Sequence, residues 1–121
     1  MAQKAVISLT TGHEDLEKVT VALLVAVGAA ETGRETLMFL TQEAVRLALP
    51  GVATGVGCDG CPSIESLVER YRAAGGRYFV CPICLDSRKI DGSTLIEGAE
   101  VNGTIPMWNW IGDEGATTFS Y

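Results

Sequence analysis

Short apolar runs and helical patterns alternate along this chain, and that alternation limits the folds open to it. "KAVISLTTG" (residues 4–12) reads as a strand closed by turn residues, and residues 14–30 carry a helical pattern opened by acids that suit a helix N-terminus. "ETLMFLT" repeats the strand signal, "QEAVRLAL" reads as a short helix closed by Pro50 and Gly51, and "GVATGVGCDGCP" is a glycine-rich loop. In "SIESLVERYRAA" the apolar residues Ile64, Leu67, Val68 and Tyr71 fall on one helical face, with Ser63 as N-cap and Gly75 and Gly76 as the stop. "RYFVC" is a third strand and "PICLDSRKI" a turn into a short helix. "STLIEG" reads as another short helix, "AEV" as a brief extended piece, "GTIPMWNWIG" as a helix and "ATTFSY" as the last strand. Strands alternating with helices imply a mainly parallel sheet with helices on both faces and right-handed crossovers.

A chain of 121 residues with 47% hydrophobic and 20% charged residues has the size and mixture of one compact domain, here spanning residues 1–121. The net charge of -6, with nine scattered basic residues, argues against a nucleic-acid partner, because counterion release needs clustered Lys and Arg. "MAQKAVISLTTG" lacks the apolar core of a signal peptide, and the longest mainly apolar run, "VTVALLVAVGAA", is too short to span a bilayer. The expectation is a cytoplasmic protein without a membrane partner. In that compartment disulfides are rare as staples, and paired cysteines more often bind metal or handle redox and sulfur chemistry. The same run is apolar almost all round its helix, whereas a helix on a sheet needs only one apolar stripe, so a second copy of the chain is the expected partner.

All four cysteines lie in "GCDGCPSIESLVERYRAAGGRYFVCPIC" (residues 57–84), as two Cys-x-x-Cys pairs, Cys58/Cys61 and Cys81/Cys84. In a parallel α/β sheet a helix runs antiparallel to the strand that follows it. About twelve helical residues descend ~18 Å, and about five strand residues climb ~16 Å. The four thiols are therefore expected at the carboxyl edge of the sheet, where doubly wound folds place their sites.

Three chemistries suit such cysteines. Cys81 falls at a strand end and Cys84 in the first helical turn, where backbone N–H groups stabilise a thiolate and Pro82 is tolerated. A thiolate there can attack a sulfane sulfur or a disulfide, and the second thiol can resolve the product. Arg88 and Lys89 either add positive charge nearby or are simply solvated. A second possibility is a Cys₄ zinc site made of Cys58, Cys61, Cys81 and Cys84, whose spacing suits a tetrahedral cage with ~2.3 Å bonds. A third is a dithiol redox protein. His13, at the start of the first helix and the same sheet edge, could accept a proton from a thiol, although a histidine there is more often a surface residue. Trp108 and Trp110 read as packing residues.

The sequence resembles the DsrE/DsrF-like sulfur-relay family. The resemblance rests on "AVISLTTG", "TLMFLTQEAVRLAL", "AAGGRYFVCPIC" and "LIEGAEVNG" in that order. It implies a three-layer α/β/α sandwich, Rossmann-like in topology, that assembles into homo- or hetero-oligomers, a trimer or a hexamer of two trimers. It also implies sulfane-sulfur transfer between donor and acceptor proteins through a persulfide, with no cofactor. The family's sulfur-carrying cysteine falls on Cys81, and Cys84 becomes its auxiliary thiol. Two features depart from the family pattern: the "CDGC" pair Cys58/Cys61, and the second thiol at Cys84.

Overall fold

The computed structural model describes residues 3–121. Five strands form one all-parallel sheet: β1 (Lys4–Leu9), β2 (Thr36–Leu40), β3 (Arg77–Val80), β4 (Ala99–Val101) and β5 (Ala116–Ser120), in the order β4-β3-β2-β1-β5. Four α-helices connect them: α1 (Leu16–Glu31), α2 (Ile64–Ala73), α3 (Pro82–Ser87) and α4 (Thr104–Ile111). The α/β architecture expected from the alternation is the one found, and β2 is buried along its whole length, as a central parallel strand must be.

The two faces of the sheet are covered unequally. Ala5, Ile7 and Leu9 of β1, Met38 and Leu40 of β2, and Tyr78 and Val80 of β3 pack under α1 and α2 in the main core. Alternate residues point the other way, and there Leu37, Phe39 and Phe79 meet Met107 and Trp110 of α4. Of the two tryptophans expected to pack, Trp110 does so and Trp108 does not, being 65% exposed with Ile105 beside it on the outer side of the helix. A helix of eight residues resting on one cluster has only one side to bury.

Tyr71 ties α2 to the starts of two strands. Its hydroxyl lies 2.7 Å from the carbonyl oxygen of Arg77 and 3.1 Å from that of Thr36. Gly76 makes room for the ring, since a Cβ there would come within 2.3 Å of it. Burial of Tyr71 first, then its neighbour Tyr78, pushes the phenol well above its ordinary range, so it is a fixed neutral donor.

One local expectation is sharpened and one is corrected. Residues 42–48 form the expected short helix as a 3-10 helix, with Gln42 in the left-handed region at φ 54°. "STLIEG" is not helical. The backbone N–H of Ser93 bonds the Asp91 carboxylate at 2.9 Å and that of Ile96 bonds the Ala48 carbonyl at 2.9 Å, so the donors a helix would use are committed elsewhere.

Candidate functional site

The carboxyl ends of β1, β2 and β3 each release the chain into a turn, and these turns meet. Gly12, after β1, lies so close to Glu43 that a Cβ on it would sit 2.7 Å from the Glu43 carbonyl oxygen. Glu43 follows Gln42 at the end of β2, and Cys81 is the first residue after β3 and the N-cap of α3. The N–H of Cys81 bonds the carbonyl of Leu40 at 3.0 Å, which extends the β2–β3 ladder by one bond and holds the cysteine in the plane of the sheet.

Cys81 and Cys84 are free thiols, both partly exposed, at the N-cap and in the first turn of α3. Burial raises the Cys84 thiol above its ordinary range, and the adjoining Cys81 adds to that. The backbone N–H of Gln42 and the charge of Arg88 act the other way. Cys84 therefore gives up its proton less readily than an ordinary thiol. Gln42 holds its main chain there in a left-handed conformation that ordinary residues rarely adopt.

Arg88 is not simply solvated. Its Nε lies 2.6 Å from the Glu43 carboxylate and its Nη1 3.3 Å from the Cys84 carbonyl, while Glu43 is held from its other side by Arg46 at 2.8 Å. The Arg88 and Arg46 guanidiniums hold the Glu43 carboxyl below its usual range. Lys89 is exposed.

The other pair lies elsewhere on the same edge. Cys58 and Cys61 are bonded to each other as a disulfide, with Cα atoms 5.2 Å apart, in the loop that joins the 3-10 segment to α2. The Cys58 sulfur faces Thr20 of α1 at 3.7 Å. As a disulfide, Cys58 and Cys61 present no thiolate to a metal, and no group of three or more His, Cys, Asp or Glu side chains is gathered among the described residues. His13 is exposed, its Nε2 3.2 Å from the Val52 carbonyl oxygen, where it ties down the glycine-rich loop. Gln42, Glu43 and Thr20 escape sequence reading altogether. Their roles depend on backbone conformation and on partners 38 to 45 residues away.

The sequence profile of the DsrE/DsrF-like family matches residues 3–119. The chain belongs to the DsrE/DsrF-like family. Among solved structures it is similar to the ychN protein from E. coli, with a TM-score of 0.76 and 25% identity, covering 98% of this chain and all of that one. A protein of unknown function from Methanobacterium thermoautotrophicum, MTH1491, shares the fold with a TM-score of 0.69 at 14% identity, covering 99% of this chain and all of that one. In sequence, 102 residues are 28% identical to the uncharacterized protein MJ0760 of Methanocaldococcus jannaschii. That match takes in 84% of this chain but only 37% of the relative, so the chain spans less than half the length of that curated relative. Membership of the DsrE/DsrF-like family points to a sulfur-relay type of role. No described helix is long and apolar enough to cross a membrane.

Proposed function

We propose that this chain carries sulfane sulfur as a persulfide on Cys81 and passes it to a partner thiol, with Cys84 as the auxiliary thiol. The observation that carries this reading is a free Cys81 at the carboxyl end of β3, with a second free thiol, Cys84, in the first turn of the helix that it caps. The Cys81 thiolate attacks the outer sulfur of a donor persulfide. A bond forms between that sulfur and Cys81 Sγ, and the donor leaves as a thiolate. An acceptor thiolate then attacks the same outer sulfur and releases Cys81 unchanged, with no net oxidation in either step. The Cys84 S–H offers a hydrogen bond to the anionic sulfur in both steps. The partners are donor and acceptor proteins, and exposed apolar Ile83, next to the thiol, suits protein contact.

Self-association belongs to the same reading. α1 buries one side against the sheet and leaves Val21 at 41% and Leu24 at 43% exposed; a groove of about 390 Å³ beside it is lined by Ala5, Ile7, Val25, Gly28 and Phe119. A second copy of the chain would cover this face, in a trimer or a hexamer. Light scattering at micromolar concentration that returned the mass of one chain would remove that part.

The test of the transfer step is incubation of the reduced chain with a sulfane-sulfur donor, followed by peptide mapping. One added sulfur atom is expected on the Cys81 peptide and none after Cys81→Ser. Sulfur on Cys58 or Cys61, or sulfur persisting in the Cys81→Ser chain, would refute the assignment.

A further inference from the structure

The geometry points to Cys58–Cys61 as a second, separate site, which exchanges its disulfide with a vicinal dithiol. This goes beyond the sulfur-carrier reading and does not depend on it. As a staple the bond achieves little, because it bridges residues only three apart and so removes a small share of the freedom of the denatured chain. The surrounding turn also stands without it. The Cys61 N–H bonds the Cys58 carbonyl at 3.1 Å, the Ile64 N–H bonds the Val56 carbonyl at 3.0 Å, and Ile64 is fully buried at the start of α2. Opening the S–S bond leaves these anchors in place.

The two sulfurs are not equivalent. Cys61 Sγ has the Asp59 carbonyl oxygen at 3.8 Å as its polar neighbour, in a stretch where Asp59, Gly60, Pro62 and Ser63 are all exposed. Cys58 Sγ faces inward to the buried Thr20, whose hydroxyl already donates its proton to the Leu16 carbonyl at 2.8 Å. That hydroxyl can therefore only accept from sulfur, and it can accept only when Cys58 carries a proton. Thr20 is thus a positioning residue for the reduced form.

Exchange follows from this asymmetry. A thiolate of the dithiol attacks Cys61 Sγ, a mixed disulfide forms, the Cys58–Cys61 bond breaks, and the electron pair leaves on Cys58 Sγ. Cys58 takes the proton released by the dithiol and turns its S–H to Thr20. The second thiol of the dithiol then attacks its own sulfur in the mixed disulfide and expels Cys61. The protein disulfide gains two electrons and two protons, and the dithiol is oxidised to its cyclic disulfide.

The test equilibrates the native full-length chain with graded mixtures of reduced and oxidised dithiothreitol, then alkylates and maps the peptides, so that Cys58 and Cys61 are counted apart from Cys81 and Cys84. Reversible opening is expected, with the mixed disulfide trapped on Cys61 rather than Cys58, and with the circular dichroism and thermal midpoint of the reduced chain close to those of the oxidised one. Thr20→Val should shift the equilibrium towards the disulfide by about 2- to 10-fold, the worth of one hydrogen bond, while Thr20→Ser, which keeps the hydroxyl, should behave as the parent. A bond that resists excess dithiothreitol until the chain is unfolded would overturn the proposal, as would trapping on Cys58 or a reduced chain that melts far lower. Should Thr20→Val fail to fold, the trapping position and the melting comparison still decide the matter.

Discussion

Cys58/Cys61 and Cys81/Cys84 have the same spacing and leave the same edge of the sheet, yet one pair is closed and the other open. The closed pair sits in a glycine-rich loop, with Gly60 between its cysteines at φ 75°. The open pair straddles a strand end and a helix start, where the Cys81 N–H is taken by Leu40 and the Leu85 N–H by the Cys81 carbonyl. Spacing alone therefore does not set the state of a Cys-x-x-Cys pair. What differs is the backbone around each sulfur: a turn free to bring two Sγ atoms together in one case, and a ladder that fixes the first cysteine in the sheet in the other.

The largest contrast to test is labelling. Limited alkylation of the native, unreduced chain should modify Cys81 and leave Cys58 and Cys61 untouched, with Cys84 lagging behind Cys81. Because burial raises the Cys84 thiol, its labelling should climb as the pH rises beyond the ordinary thiol value of 9.0. Equal labelling of all four cysteines would erase the comparison.

Next in size is Gly60→Ala. A side chain at its positive φ costs about 1–2 kcal/mol, and because the turn stands with the disulfide open or closed, Gly60→Ala should lower the thermal midpoint while leaving the Cys58–Cys61 redox equilibrium and Cys81 labelling close to the parent's. A redox equilibrium that shifted strongly towards the dithiol would mean that the turn rearranges when the pair opens.

A smaller effect is expected at the left-handed residue of the other region. Gln42→Gly relieves a strain of about 1 kcal/mol, partly offset by the freer unfolded chain. Gln42→Ala should leave sulfur uptake by Cys81 unchanged, because the main-chain N–H is what faces Cys84. Loss of uptake in Gln42→Ala would show that the side chain matters instead.

The smallest effect concerns pH and Arg88→Gln. Arg88 and then Arg46 lower the Glu43 carboxyl, so the stabilisation from this pairing is full above the ordinary carboxylate value of 4.5 and fades as the pH falls through the lowered one. The melting curves of parent and Arg88→Gln should differ slightly at neutral pH and converge on acidification. A difference that widened in acid would mean that Arg88 acts through something other than Glu43.

The strands, α1, α2 and the parallel order were legible in the sequence because each rests on periodicity within a single segment, such as Ile64, Leu67 and Tyr71 on one face of α2. The location of Cys81 was legible for the same reason, being the next residue after an apolar run. The remainder depends on partners distant in sequence. Residues 93–98 carry helix-compatible side chains, but the Ala48 carbonyl takes the Ile96 N–H. Arg88 finds Glu43 across 45 positions, and Cys58 turns towards Thr20 across 38. Gln42 shows no glycine or asparagine to announce its left-handed turn.

The Tyr71 hydroxyl grips the starts of β2 and β3 together, so this strand pair is clamped at the end away from the cysteines. Seen as a lever with its pivot at Arg77, the arm reaching Cys81 is four residues long, or about 13 Å. A rocking of one degree about that pivot would then carry the sulfur through only about 0.2 Å, from the same strand rise. A thiol mounted in this way keeps station, and any group that reacts with it must supply the reach from its own side.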